Sequence, residues 1–358
     1  MTHVIVSGRV LDKNVGGNTR YAREVYSRLE SFGVSHEISR PRLDRGDRVR
    51  SVKYAFHEGM SMPSGRQTGD VIHYPADTGA WFASQKPMVG TIHGMATLHV
   101  DGVRSREADR LWRYRVGRMA HAATTLVTVS QSSARDIASV FPHAAAKLVA
   151  IPHGIDLGKF MPTATGQTPE ILTSRGFSGP YFAYVGNIEP RKNIPELLRA
   201  ASAVYRRTGV PLVVSGAPAW GYTDIMDQLG RAAGVHYLGR TSDEDMVALL
   251  QQALAFCFPS KYEGFGFPVL EAMACGTPVI CSSRGSLSEV ASDAAWLLPD
   301  IDAASIESAM LEVLHDSSIQ DDLRSRGILN ARRYDWNVSA KQHADVFRQA
   351  SESSGRWI

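Results

Sequence analysis

Two glutamates, Glu263 and Glu271, stand eight positions apart in "YEGFGFPVLEAMACGTPVI" (262–280), with Gly264 and Gly266 beside the first and Pro268 between them. Glycine lets a loop backbone approach a ligand closely. Pro268 near the start and Gly276 past the end mark "PVLEAMACG" as a helix. Glu263 is then expected on the loop ahead of that helix and Glu271 in its first turn. Both lie beside backbone N–H groups that can hold an anion or hydroxyl oxygens. Carboxylates accept hydrogen bonds from polyol hydroxyls while a phosphate takes the amides, so the pair suits a phosphorylated polyol. Surface glutamates framing an ordinary turn are the plainer reading. Val269 stands where a G-x-G-x-x-G dinucleotide fingerprint needs glycine, so that motif is not met.

A second constellation is Arg191 and Lys192 in "EPRKN" (189–193), just ahead of a helical pattern. Two adjacent cations at a helix N-terminus oppose its dipole unless an anion lies between them. A diphosphate is such an anion, and charge-assisted bonds to it would neutralise its charge. A solvated basic turn is the alternative. Gly16 and Gly17 end the first strand–helix turn and either donate N–H groups to a ligand or form a plain turn. No G-K-[ST] follows them, so they do not open a P-loop.

The elements that must position these residues are legible as short apolar runs ending in Gly, Pro, Ser or His. In the front half they are "VIVSGRV" (4–10), "VIHYPA" (71–76), "MVGTIHG" (88–94), "TTLVTVS" (124–130) and "LVAIPHG" (148–154). In the back half they are "YFAYVGN" (181–187), "PLVVSGA" (211–217), "VHYLGR" (235–240), "LAFCFPS" (254–260), "PVICSSR" (278–284) and "AAWLLPD" (294–300). Unalternating runs fit strands covered on both faces. Helical patterns over 18–33, 193–209 and 243–255 lie between them, so the chain reads as α/β with doubly wound sheets. The series occurs twice, separated by a Pro-, Thr-, Gly- and Ser-rich stretch over 159–180. The expected domains are therefore 1–165 and 166–335, two Rossmann-like domains facing a central cleft, with a last helix in 336–358.

A chain of 358 residues exceeds the usual growth of one core, which agrees with two domains. The composition, 44% apolar and 21% charged, is that of an ordinary globular protein. The start carries no signal-peptide pattern, and no run approaches the roughly 18 apolar residues a membrane span needs. Cys257, Cys275 and Cys281 have no metal-ligand spacing and read as reduced, buried thiols of a cytoplasmic protein. The net charge of +3 divides into +8 over residues 1–165 and −5 over the remainder. A basic front half suits an anionic partner or is simply solvated surface.

These motifs, taken in order, resemble those of retaining glycosyltransferases of the GT-B fold, family 4. "EGFGFPVLE" looks like the family's E-x7-E signature. "GGNTRYARE" (16–24), "TIHG" (91–94), "VTVSQSSARDI" (127–137), "IPHGID" (151–156), "YVGNIEPRKNIPELL" (184–198), "VSGAPAWGY" (214–222) and "LGRTSDEDM" (238–246) extend the resemblance over nearly the whole chain. The resemblance implies that the back domain binds a nucleotide-sugar. Glu271 would accept from the ribose, while Glu263 and the backbone of Gly264, Phe265, Gly266 and Phe267 would hold the transferred sugar. Arg191 and Lys192 would hold the diphosphate, with Gly16 and Gly17 across from them. Gly239, Arg240 and Thr241 would lie against the base, and His93 would stand near the reacting carbon. Many members carry Asp after that histidine, where this chain has Gly94. The resemblance further implies transfer by front-face substitution with no metal or other cofactor. Asp300 and Asp302, a D-x-D string, read as helix N-terminal charges. His153 reads as structural.

The wording of the back-domain motifs is closest to bacterial mannosyl- and rhamnosyltransferases, which makes GDP-mannose the first expectation for the donor and a UDP-sugar the second. The acceptor would be a glycan, a lipid-linked molecule or a small molecule. The helix expected within 103–121 carries Arg104, Arg106, Arg110, Arg113, Arg115 and Arg118 among aromatics. It could rest peripherally on anionic lipid at the inner face of a membrane, bind an anionic soluble acceptor, or be solvated. A non-catalytic polyanion binder on the same scaffold is the competing class. Nucleic acid is not an expected partner, since no recognition motif is present. An epimerase or phosphorylase would need a different histidine–carboxylate set or a pyridoxal lysine.

Overall fold

The computed structural model describes residues 1–14, 16–43, 49–64, 68–163 and 168–353. Two compact units result, one formed by Met1–Leu98, Arg104–Gly154 and Asp335–Ile358, the other by His99–Val103 and Ile155–Tyr334. The boundary expected at 165/166 falls outside the described residues, as do the last five residues of 336–358.

In the first unit six parallel strands form one sheet: β1 (Thr2–Ser7), β2 (Val34–Ser39), β3 (Val71–Tyr74), β4 (Met88–Ile92), β5 (Thr125–Thr128) and β6 (Leu148–Ala150). Their spatial order is β2-β1-β3-β4-β5-β6. The central strands are buried on both faces, as the unbroken apolar runs require. The sequence reading missed β2. It is an edge strand, "VSHEIS", whose half-exposed Ser35 and His36 and exposed Glu37 hide the apolar signal. The helix expected over 18–33 is instead Gly16–Tyr26 followed by a helical turn at Leu29–Phe32. A short helix, Arg9–Lys13, comes between β1 and the glycines, so Gly16 and Gly17 open a second helix and do not end the strand's own turn. The tail of the run "VIVSGRV" belongs to that short helix.

The last helix, Trp336–Ser353, packs in this unit through a buried chain of hydrogen bonds whose direction one carbonyl fixes. His343 Nδ1 must donate to Ser339 O at 2.8 Å, so a neutral His343 accepts on Nε2 from Tyr21 Oη, also at 2.8 Å. Tyr21 then accepts from Thr91 Oγ1 at 3.1 Å, Thr91 from His73 Nε2 at 3.0 Å, and His73 Nδ1 from Tyr26 Oη at 2.8 Å. Every proton is accounted for while both histidines stay neutral. Burial drives His343 down to about 4 and His73 well below the ordinary imidazole range.

The second unit repeats the architecture with β7 (Phe182–Val185), β8 (Leu212–Ser215), β9 (Val235–Tyr237), β10 (Ala255–Phe258), β11 (Val279–Ser282) and β12 (Trp296–Leu298), in the order β12-β11-β10-β7-β8-β9. Helices Ile194–Thr208 and Asp243–Gln252 lie close to the expected spans. Asp302 caps the helix Ala303–His315, its Oδ1 accepting from Ser305 N at 2.8 Å. The three cysteines are free and buried, which pushes each thiol upward.

Candidate active site

In the second unit the strand order runs outward in opposite directions from β7 and β10, which lie side by side although β8 and β9 separate them in sequence. Open α/β sheets bind ligands outside the carboxyl ends of the strands at such a reversal. The loop after β7 carries Glu189, Arg191 and Lys192, and the loop after β10 carries Tyr262 and Glu263. The two loops are laced together. Lys261 N donates to Arg191 O at 2.9 Å, and Arg191 Nη1 donates to Tyr262 O at 2.8 Å. His99, which groups with this unit, stacks on Tyr262 at 4.5 Å.

Glu263 is buried, and its carboxylate lies between the two cations. Lys192 Nζ donates to Oε1 at 2.7 Å, and Arg191 Nη1 stands 2.7 Å from Oε2. Arg191 Nη2 also pairs with Glu189 at 2.5 Å, and Lys192 Nζ lies 4.6 Å from the centre of the Phe258 ring. The anion that the adjacent cations require is thus the chain's own glutamate. Burial alone would raise the Glu263 carboxyl, but Arg191 and Lys192 outweigh it and hold it at about 2. Burial lowers Lys192, and Arg191 adds to that, because two cations share one carboxylate.

The backbone of Glu263 is held by residues the sequence reading missed. Ser286 N donates to Glu263 O at 3.0 Å, and Ser286 Oγ lies 3.0 Å from Glu263 O and 2.6 Å from Phe265 O. Gly285 has φ +61°, and a Cβ there would sit 2.5 Å from Glu263 O. The available signal was "SSRGS" after β11, a glycine loop with no chemistry of its own.

The helix after this loop spans Phe267–Ala274, beginning one residue before Pro268. Glu271 is therefore its fifth residue, at the start of the second turn and not in the first, and it is buried. Gly266, at φ +114°, caps the helix start with Gly264 two residues before it. Phe265 packs inward, its ring 5.3 Å from Phe267 and 5.8 Å from Tyr334. Gly239, Arg240 and Thr241 follow β9, two strands from β7. Gly239 has φ +72°, Arg240 is exposed, and Thr241 Oγ1 lies 2.8 Å from Ser215 Oγ at the end of β8. The structure thus gathers Glu263, Arg191 and Lys192 at one point.

His93, Gly16 and Gly17 belong to the first unit. His93 follows β4, and its Nε2 donates to Pro75 O at 2.9 Å while Asp77 Oδ1 accepts from its backbone N–H at 3.0 Å. Asp77 is thus the carboxylate beside a histidine that Gly94 leaves without a following aspartate. In the neutral ring Nδ1 carries the lone pair. Burial lowers the His93 imidazole, opposed by Asp77 and the Pro75 carbonyl. Its ring lies 5.0 Å from Tyr21 and 5.7 Å from His153. His153 is buried, 5.6 Å from Trp336, and burial holds it well below the usual range.

The basic helix is Arg106–Ala122, and several of its arginines are engaged. Arg113 bonds Asp109 at 2.6 Å, Arg118 donates to Trp81 O, and Arg115 approaches Glu58, while Arg104, expected on the helix, stands ahead of its Ser105 cap and lies over the Trp112 ring. Leu111 and Tyr114 are exposed. Among the described residues no helix is long and apolar enough to cross a membrane.

Comparison with known proteins agrees with this architecture. The family described as Glycosyl transferases group 1 matches residues 175–333, and Glycosyltransferase Family 4 matches residues 15–159. The chain is 30% identical over 267 residues to the O-antigen chain mannosyltransferase B of Escherichia coli, covering 73% of this chain and 70% of that one. It is 31% identical over 288 residues to an MMP alpha-(1->4)-mannosyltransferase of Mycolicibacterium hassiacum, covering 74% and 66%. The structure of sucrose-phosphate synthase from Thermosynechococcus elongatus superposes with a TM-score of 0.78 at 18% identity, over 99% of this chain and 100% of that one. Two parallel sheets of this order and these matches define a glycosyltransferase of the GT-B fold. The chain belongs to the group 1, family 4 glycosyltransferases and is a hexosyltransferase.

Proposed function

We propose that this enzyme moves mannose from GDP-mannose to a glycan, lipid-linked or small-molecule acceptor with retention of anomeric configuration and without a metal ion. The observation that carries the reading is the Glu263 carboxylate between Arg191 and Lys192 at the β7/β10 reversal. The two relatives named above are both mannosyltransferases, which supports the sugar.

In this reading the bond from the sugar C1 to the β-phosphate oxygen breaks as the acceptor oxygen bonds to C1 on the same face. The departing diphosphate takes the acceptor proton, so glycoside and GDP are the products. Arg191 and Lys192 stabilise the charge developing on the diphosphate. Glu263 and the backbone of 264–267 hold the sugar hydroxyls, and Glu271 the ribose. Gly239 to Thr241 lie along the base. His93 presents Nδ1 as an acceptor to a sugar hydroxyl, because Pro75 engages Nε2. Binding in a fixed geometry supplies the rest of the rate.

Nucleotide release from GDP-mannose, UDP-glucose and UDP-galactose without acceptor tests the donor, with and without EDTA. GDP release that EDTA leaves unchanged is expected. Release of UDP alone would overturn the donor, and no release from any donor would favour the polyanion binder. An anomeric proton signal of inverted product would overturn retention.

A further inference from the structure

The first sheet has its own order reversal, between β1 and β3, and a buried carboxylate stands there too. Glu58 lies in the helical turn His57–Ser61 and is 1% exposed. Ser7 Oγ, at the end of β1, donates to its Oε1 at 2.7 Å, and Thr78 Oγ1, after β3, does so at 3.0 Å. Arg9 Nη1 donates to Oε2 at 2.8 Å. A second arginine, Arg115, reaches the same carboxylate from the helix Arg106–Ala122, yet its Nη2 stops 3.9 Å from Oε2. That is too long for a hydrogen bond. Both Nε and Nη2 of Arg115 are buried and without a hydrogen-bond partner among the described residues. These two nitrogens form one edge of the guanidinium, the fork that takes two oxygens of a phosphate or carboxylate side by side. Leaving such donors buried and unmet is costly, and native proteins rarely do so without a ligand or water.

Two further facts place this fork at a binding site. It lies at the carboxyl ends of β1 and β3, where doubly wound sheets take ligands. The loop after β3 ties it to His93, since Pro75 and Asp77 hold that histidine while Thr78 holds Glu58. Two arginines against one carboxylate leave a net positive charge at this point.

We infer that Arg115, with Arg9 positioned on Glu58, binds a phosphoryl group carried by the acceptor. This rests on the reading above only in naming the ligand as the acceptor; the phosphoryl site can be tested without any turnover.

The test is calorimetric titration of the full chain with glycerol 3-phosphate and with glycerol. Wild type should bind glycerol 3-phosphate and not glycerol. Arg115→Gln should weaken that binding at least tenfold, and Arg115→Lys should fall between, since it keeps the charge and loses the fork. Arg191→Gln, in the other unit, should leave the Arg115-dependent binding in place. Near-ultraviolet circular dichroism and melting temperature show that each variant is folded. Uptake unchanged in Arg115→Gln, equal binding of glycerol, or no uptake by wild type would each overturn the inference. Co-sedimentation with phosphatidylcholine vesicles containing phosphatidic acid distinguishes the source. Pelleting that Arg115→Gln abolishes assigns a lipid-borne phosphoryl group, and titration with glycerol 3-phosphate but no pelleting assigns a soluble one. Failure of glycosyl transfer would leave this readout unaffected.

Discussion

Replacing Glu263 by glutamine removes one charge from a site where two buried cations depend on it. The fall of its carboxyl from 4.5 to about 2 corresponds to roughly 3 kcal/mol at about 1.4 kcal/mol per tenfold. Breaking a buried ion pair by losing one partner costs about 3–5 kcal/mol by independent measure. The two routes agree, so Glu263→Gln should lose roughly 3 kcal/mol at pH 7 in the urea transition of the second unit. The sign with pH follows from the depressed value. The stabilisation is complete above pH 4.5 and is lost as pH falls toward 2, so the variant should lack the acid sensitivity of wild type in that window. Lys192→Met combined with Glu263→Gln should cost less than the two changes added, because the double variant leaves fewer unpaired charges. A gain accompanies the loss. With the carboxylate gone, Lys192 Nζ and the Arg191 Nη1 that faced Glu263 can turn to a diphosphate while Glu189 keeps Arg191 Nη2, and pyrophosphate should bind about tenfold tighter, the equivalent of one charge-assisted bond. A loss below about 1 kcal/mol, an unchanged acid limb, or weaker pyrophosphate binding would refute the reasoning.

Three other outcomes follow from the same geometry. Gly285→Ala should destabilise the second unit by more than about 1 kcal/mol and lower transfer, since its Cβ meets Glu263 O at 2.5 Å and φ is +61°; equal activity and urea midpoint would contradict this. His343→Gln should flatten the acid limb of the first unit: a histidine held neutral at about 4 against 6.5 gives stability that is present above pH 6.5 and lost as pH falls toward 4, visible in melting temperature against pH. Asp302→Ala should lower the urea midpoint of the second unit through the lost helix cap, with little change in transfer, as chemical denaturation and initial rates will show.

Much of this protein was legible because its core strands are covered on both faces, so that apolar runs such as "LAFCFPS" and "PVICSSR" announce them without ambiguity. Glycine, proline and charge marked where chemistry could follow, and Glu263, Arg191 and Lys192 were found that way. The half-exposed edge strand β2 was not, because its polar residues interrupt the run. Sequence spacing also placed Glu271 in the first turn, one residue short of where it stands, since Phe267 joins the helix ahead of the proline.

Pairing was decided by the tertiary fold. Nothing in the order of residues says that Glu263 faces Lys192 across 71 positions, that Asp77 stands beside His93, or that Glu58 gathers Ser7, Arg9 and Thr78. Local pattern reports which side of an element meets the core, because burial is read one residue at a time. Which loops meet depends on strand order, and in both units the decisive contacts fall where that order reverses, a property of the sheet that no single stretch of sequence contains.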